Sequence, residues 1–209
     1  MFLFISFAAP LMMTLFVYKG KTRTLLFYLL MGMVVCLFCG EVNGLIFKML
    51  SFDSKFFTSN VTPLTEEVFK ALPILIYAFL FEPKKKSLLE CSLSLGIGFA
   101  VLENAFILGG ATSSVSLANA LIRGFGAGMM HGVCTLAVGY GVTFVHTRRK
   151  LFYTGTVALL TVATIFHSVY NALVQSEYQL AGFLLPVITF IPVLMLLGKT
   201  EEKKPDKTK

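Results

Sequence analysis

Seven predominantly apolar runs, roughly 2–18, 24–50, 63–82, 88–109, 117–145, 151–174 and 179–198, take up nearly the whole of this chain. Each is close to the length, about 17–25 residues, that carries an α-helix across the hydrocarbon core of a bilayer. Charge, proline or glycine marks every boundary between them. Hydrophobic residues make up 56% of the 209 and charged residues 14%, against about 45–50% and about 25% in a soluble domain. That composition excludes a water-soluble globule, a disordered chain, a disulfide scaffold and a nucleic-acid-binding domain. The expected fold is an all-α, polytopic transmembrane helix bundle of about seven spans.

The net charge of +7 is explained by where the basic residues stand. Lys19, Lys21 and Arg23 follow the first run, Lys84, Lys85 and Lys86 the third, and Arg148, Arg149 and Lys150 the fifth. Lys199, Lys203, Lys204, Lys207 and Lys209 follow the seventh. The intervening junctions hold only Lys55 in 51–62 and no basic residue in 110–116 or 175–178. By the positive-inside rule the N-terminus lies outside and the C-terminus in the cytoplasm, which an odd number of spans allows. Residues 1–198 then read as one transmembrane domain and 199–209 as a solvated, charged cytoplasmic tail. The first run lacks the basic n-region and small-residue cleavage site of a signal peptide. Cys36, Cys39, Cys91 and Cys134 all fall inside apolar runs and read as small core residues, although the first two form a C-x-x-C.

Several ionisable residues interrupt the runs. A charge at the centre of a spanning helix costs about 2.5–3.5 kcal/mol on insertion scales, so each one is a pointer to function. They are Glu41 in the second run, Glu66, Glu67 and Lys70 in the third, and Glu103 beside Asn104 in the fourth. Arg123 and His131 stand in the fifth, and His167 with Asn171 in the sixth. Pro63 suits the first turn of the third helix, with Thr62 as its N-cap. Lys70 then stands one turn beyond both glutamates and reaches either of them. Two adjacent carboxylates in a low dielectric cannot both ionise cheaply and titrate as a coupled set. Such a unit can trade protons; it can also be a neutralised structural triad pinning two helices. His167 and Asn171 share a face at i, i+4, whereas His131 sits among Gly124, Gly126, Gly128 and Gly132, where close helix packing alone could account for it. His146, beside Arg148 and Arg149, belongs to the interface.

Depth relates these residues. At about 1.5 Å per residue, Glu67 lies about 6 Å below the outer end of its span, Glu103 about 9 Å, His167 and Asn171 about 5–11 Å, and His131 about 21 Å. Helices running in alternating directions thus bring their polar residues to the outer half of the bilayer, as one shared cavity requires. Two carboxylates, two histidines and an asparagine are the parts needed to activate water and hold an oxyanion. A Glu/His/His set could also bind zinc.

Four strings carry a resemblance: Glu66-Glu67-Val68-Phe69-Lys70, Gly96-Ile97-Gly98-Phe99-Ala100-Val101-Leu102-Glu103-Asn104, His131-Gly132-Val133-Cys134-Thr135 and His167-Ser168-Val169-Tyr170-Asn171. Together they resemble the motifs of the PrsW family, intramembrane proteases related to the type II CAAX prenyl proteases. The resemblance implies hydrolysis of a single-pass membrane protein near the outer face, as in site-1 cleavage of an anti-sigma factor in regulated proteolysis. Its setting would be a bacterial plasma membrane, with no nucleic acid involved. Carried over by position, Glu66 activates water with help from His131, and His167 and Asn171 bind the oxyanion. Glu67 and Lys70 tune Glu66, and Glu103 and Asn104 order the site or contact substrate. A glutamate-type, metal-free enzyme is preferred; if zinc is present, Glu66, His131 and His167 are the ligands. Two rival readings stand beside this one, a non-catalytic seven-span scaffold like that of gamma-secretase and a proton-coupled carrier. Both glutamates and the full His-x-x-x-Asn weigh against the scaffold, and the lack of an internal repeat weighs against the carrier.

Overall fold

The computed structural model describes residues 2–110 and 116–199. Within them the chain forms seven helical segments and no strand. We number them α1 (Phe2–Val17), α2 (Gly20–Met49), α3 (54–81), α4 (Lys85–Gly109), α5 (Leu117–Val142), α6 (Arg149–Val174) and α7 (Gln179–Lys199). The protein is therefore a polytopic helical bundle. Helices α2, α4, α5 and α6 are long and apolar enough to cross a membrane. Helix α3 has comparable length but carries Glu66, Glu67 and Lys70, and α1 and α7 contribute shorter apolar stretches. Large apolar side chains such as Phe16, Leu80, Phe125 and Ile188 cover the outside, the surface that lipid solvates. The tail expected at 199–209 lies, from residue 200 on, outside the described residues, as do most residues of the junction 110–116.

Three of the basic junctions, those after the first, third and fifth runs, meet at one end of the bundle. Lys21 at the start of α2 pairs with Glu90 of α4 at 2.6 Å. Lys85 lies over the ring of Tyr140 near the end of α5. His146, just past α5, bonds through Nε2 to the Ala78 carbonyl near the end of α3 at 2.9 Å, the interfacial position its sequence context indicates. The chain turns between α1 and α2 at Gly20, whose φ of 58° is open to glycine at little cost.

Helix α4 is the centre of the bundle, packed against α2 on one side and α5 on the other. Glycine makes both approaches possible. A Cβ on Gly98 would collide with the backbone of Leu29 in α2, and one on Gly96 with the carbonyl of His131 in α5. Gly96→Ala should therefore push α5 and its histidine away. We expect a loss of about 1–3 kcal/mol in unfolding stability, the usual cost of overpacking, measurable by thermal unfolding in detergent. The four cysteines are buried and free, as the sequence indicates.

The third segment departs from expectation at its start. The α-helix Thr62–Phe81 carries Pro63 in its first turn, as expected, but the helical path extends back to Ser54, where the Asp53 carboxylate accepts from Phe56 N. Residues Phe57–Val61 form a wide π-helical turn that runs directly into Thr62–Phe81. Pro63 explains the turn: it has no N–H to give, and a wide turn is one way for a helix to pass such a gap. The Thr62 amide reaches back five residues to Phe57, and the Thr62 hydroxyl, instead of capping, donates to the Thr58 carbonyl at 2.8 Å. A second wide turn, Ile122–Ala127, stands in α5 just before His131.

Candidate active site

Helix α3 sends Glu66, Glu67 and Lys70 inward; they are 7%, 0% and 0% exposed. One hydrogen-bonded chain links Glu67 and Lys70 to three other helices. Lys70 Nζ donates to Glu67 Oε1 at 2.6 Å and contacts Nδ1 of His131 at 2.9 Å, with the Phe99 ring beneath it. An ammonium only donates, so His131 accepts at Nδ1 and presents Nε2–H to Glu103 Oε2, 3.0 Å away. Glu67 Oε1 also accepts from Nδ1 of His167 at 2.8 Å. The two imidazoles meet edge to face, with centroids 4.8 Å apart.

Three buried atoms of this cluster have no hydrogen-bond partner: Glu66 Oε2, Glu67 Oε2 and His167 Nε2. Of these, Glu66 Oε2 and His167 Nε2 face each other at 3.7 Å. Glu67 accepts the hydrogen bond from Nδ1–H of His167, so the neutral imidazole carries its lone pair on Nε2. A carboxylate oxygen and a lone-pair nitrogen facing each other make a seat for something that donates to both, and water does so. A cation suits the same pair. Glu66, His131 and His167 each bring one ligand atom to within 4.8 Å of the others, a donor set that could hold a metal ion. Glu66 and His167 fit that use as they stand. His131 fits it only by releasing Lys70 or Glu103, which hold its two nitrogens.

The asparagines join the site through backbone. Asn171 Nδ2 donates to the Thr58 carbonyl at 3.0 Å, the oxygen whose partner five residues on would be Pro63. Asn104 Nδ2 donates to the carbonyl of Arg123, inside the second wide turn, also at 3.0 Å. Each thus fastens the helix that carries other members of the cluster. The sequence marks Arg123 as an intramembrane charge without giving it a place in the site. The structure supplies its partners: Nε bonds Asn104 Oδ1 at 3.1 Å and Nη2 lies 3.5 Å from Glu103 Oε2, the oxygen that His131 also contacts. The signal for Arg123 was its presence in a span; its partners depend on how α4 and α5 pack. A cleft of about 330 Å³ between α2, α3 and α4 reaches this centre, with Glu41, Asn43, Glu66 and Glu103 on its walls.

Six polar side chains from four helices thus gather in one buried cluster, a candidate hydrolase centre in which an unpartnered carboxylate oxygen and an unpartnered imidazole nitrogen face each other. The chain belongs to the PrsW family: the model for PrsW family intramembrane metalloprotease matches residues 20–197. It is accordingly an intramembrane protease, acting within the bilayer on a membrane protein. No curated protein and no solved structure matches it.

Proposed function

We propose that the protein hydrolyses a peptide bond of a single-pass membrane protein by water that Glu66 activates. The observation that carries this reading is the pair of orphaned acceptors, Glu66 Oε2 and His167 Nε2. Water donating to both turns its lone pairs toward the carbonyl carbon of an incoming peptide. Glu66 takes one proton as the oxygen attacks. Transfer across the 3.7 Å to His167 Nε2 would produce an imidazolium, its charge balanced by Glu67, with an N–H that can face the oxyanion. The same proton is then delivered to the leaving nitrogen as the C–N bond breaks, and the new carboxylic acid passes its remaining proton to the amine, so the products are a carboxylate and an ammonium. Lys70 and His131 hold Glu67 and the cluster in register, and Arg123 with Asn104 backs Glu103. Asn171 supports this arrangement by fixing the turn that leads into Glu66.

Taking the basic end of the bundle as cytoplasmic, the site faces the outer half of a bacterial plasma membrane. A cut there fits the first step of regulated proteolysis, with an anti-sigma factor as the type of substrate. The family's description as metalloproteases and the Glu66, His131 and His167 donor set favour a second reading. A zinc ion held by those three would polarise the water and the substrate carbonyl.

Chelation separates the two readings. Purified protein in liposomes, stripped of metal and given a single-pass substrate, should cut it at the untreated rate. Loss of cleavage that zinc restores would move the assignment to the metal reading. Absence of cleavage with or without added metal would sink the proposed reaction.

A further inference from the structure

We propose that the cleft leading to Glu66 selects substrates with a lysine or arginine beside the scissile bond, and that Glu41 is the selecting group; this rests on the protease reading above. Three carboxylates, Glu41, Glu66 and Glu103, stand on its walls, and among the described residues no basic side chain does. Their charges are not equally balanced. Glu103 is held between His131 and Arg123, and Glu67, deeper in, is matched by Lys70. Glu41 is exposed and has no hydrogen bond or ion pair among the described residues. Glu66 is more than nine-tenths buried, lines the cleft and keeps Oε2 without a partner.

A carboxylate within a spanning helix is costly, and such residues mark the path of a polar ligand. Here Glu41 borders the cleft with no paired cation among the described residues, and low-dielectric walls concentrate its field. The α2 wall is also bare beside Glu41. A Cβ on Gly40 would meet nothing within 4 Å, which leaves room for an extended backbone. Glu41 lies nearer the end of α2 than Cys36 or Cys39, the deeper lining residues on the same wall. A peptide entering from that end passes Glu41 before it reaches Glu66. The ligand chemistry that completes the cleft is therefore a cationic side chain close to the bond being cut.

The test uses the full chain in nanodiscs and single-pass peptides that differ at one position beside the cut, bearing Lys, Gln or Glu. Binding is followed by fluorescence anisotropy and cleavage by mass spectrometry. The Lys peptide should bind about tenfold more tightly than the Glu peptide, the scale of one favourable against one unfavourable charge contact. Glu41→Lys should reverse that order. Charge-dependent binding without cleavage would uphold the cleft and sink the protease reading. Equal binding of the three peptides, with or without cleavage, would overturn the cleft assignment.

Discussion

Glu66→Gln should give a folded protein that no longer cuts a single-pass substrate, with kcat lower by about 10²–10⁴, the range for removal of a general base. The substitution is isosteric, so packing is kept. Oε2 has no protein partner to lose. Thermal unfolding in detergent should be close to that of the wild type, so the loss can be charged to chemistry. An amide in this position can still hold water against His167 but cannot take its proton. Cleavage near the wild-type rate by a folded Glu66→Gln variant would remove Glu66 from the reaction. Its neighbour Glu67, with one oxygen already on Lys70 and His167, would then be the group to examine.

Lys70→Met should be the most destabilising single change in the site. Lys70 and Glu67 are both fully buried and 2.6 Å apart. Removing the cation leaves a carboxylate in the interior facing only imidazoles, and breaking a buried pair from one side costs about 3–5 kcal/mol. Buried pairs of this kind add little stability over apolar substitutes, so the second partner can be removed at much less further cost. The double variant Lys70→Met, Glu67→Gln should thus recover most of the lost stability, because a Gln side chain can still accept from His167 Nδ1. It should not recover cleavage, since the charge that balances a protonated His167 is gone. Unfolding of the single and double variants, followed alongside activity, checks both parts. Equal destabilisation by the two would mean that the pair is not coupled as its geometry indicates.

The apolar runs gave the seven helices within a few residues at most ends, because span length and boundary charge are local properties of a sequence. Alternation of the basic junctions likewise foretold that Lys21, Lys85 and His146 would gather at one end. Pro63 stands in the first turn of Thr62–Phe81, as its place in the sequence indicates; the extension of α3 back to Ser54 was hidden because it depends on a wide turn ahead of that proline. That turn in turn decides what Asn171 does. From spacing alone Asn171 shares a face with His167; its partner is the Thr58 carbonyl, which no pattern of residues reveals. Arg123 tells the same story. Its charge was visible, while its contact with Glu103 depends on how closely α4 and α5 pack, and Gly96 permits that approach. The collection of Glu66, Glu67, Lys70, Glu103, His131 and His167 into one centre could be anticipated from depth because each residue interrupts an apolar run. The 3.7 Å between two unpartnered acceptors could not, since it depends on side-chain geometry that only the assembled bundle fixes.

The central claim, that Glu66 directs water to the peptide carbonyl, meets its most direct test in a single turnover in ¹⁸O-labelled water. Metal-stripped protein in liposomes is mixed in excess with a single-pass substrate, and the new C-terminus is weighed by mass spectrometry. Cleavage should give a new carboxylate that carries one labelled oxygen, and Glu66→Gln should give no product. An unlabelled carboxylate, or the same product from both proteins, would contradict the claim.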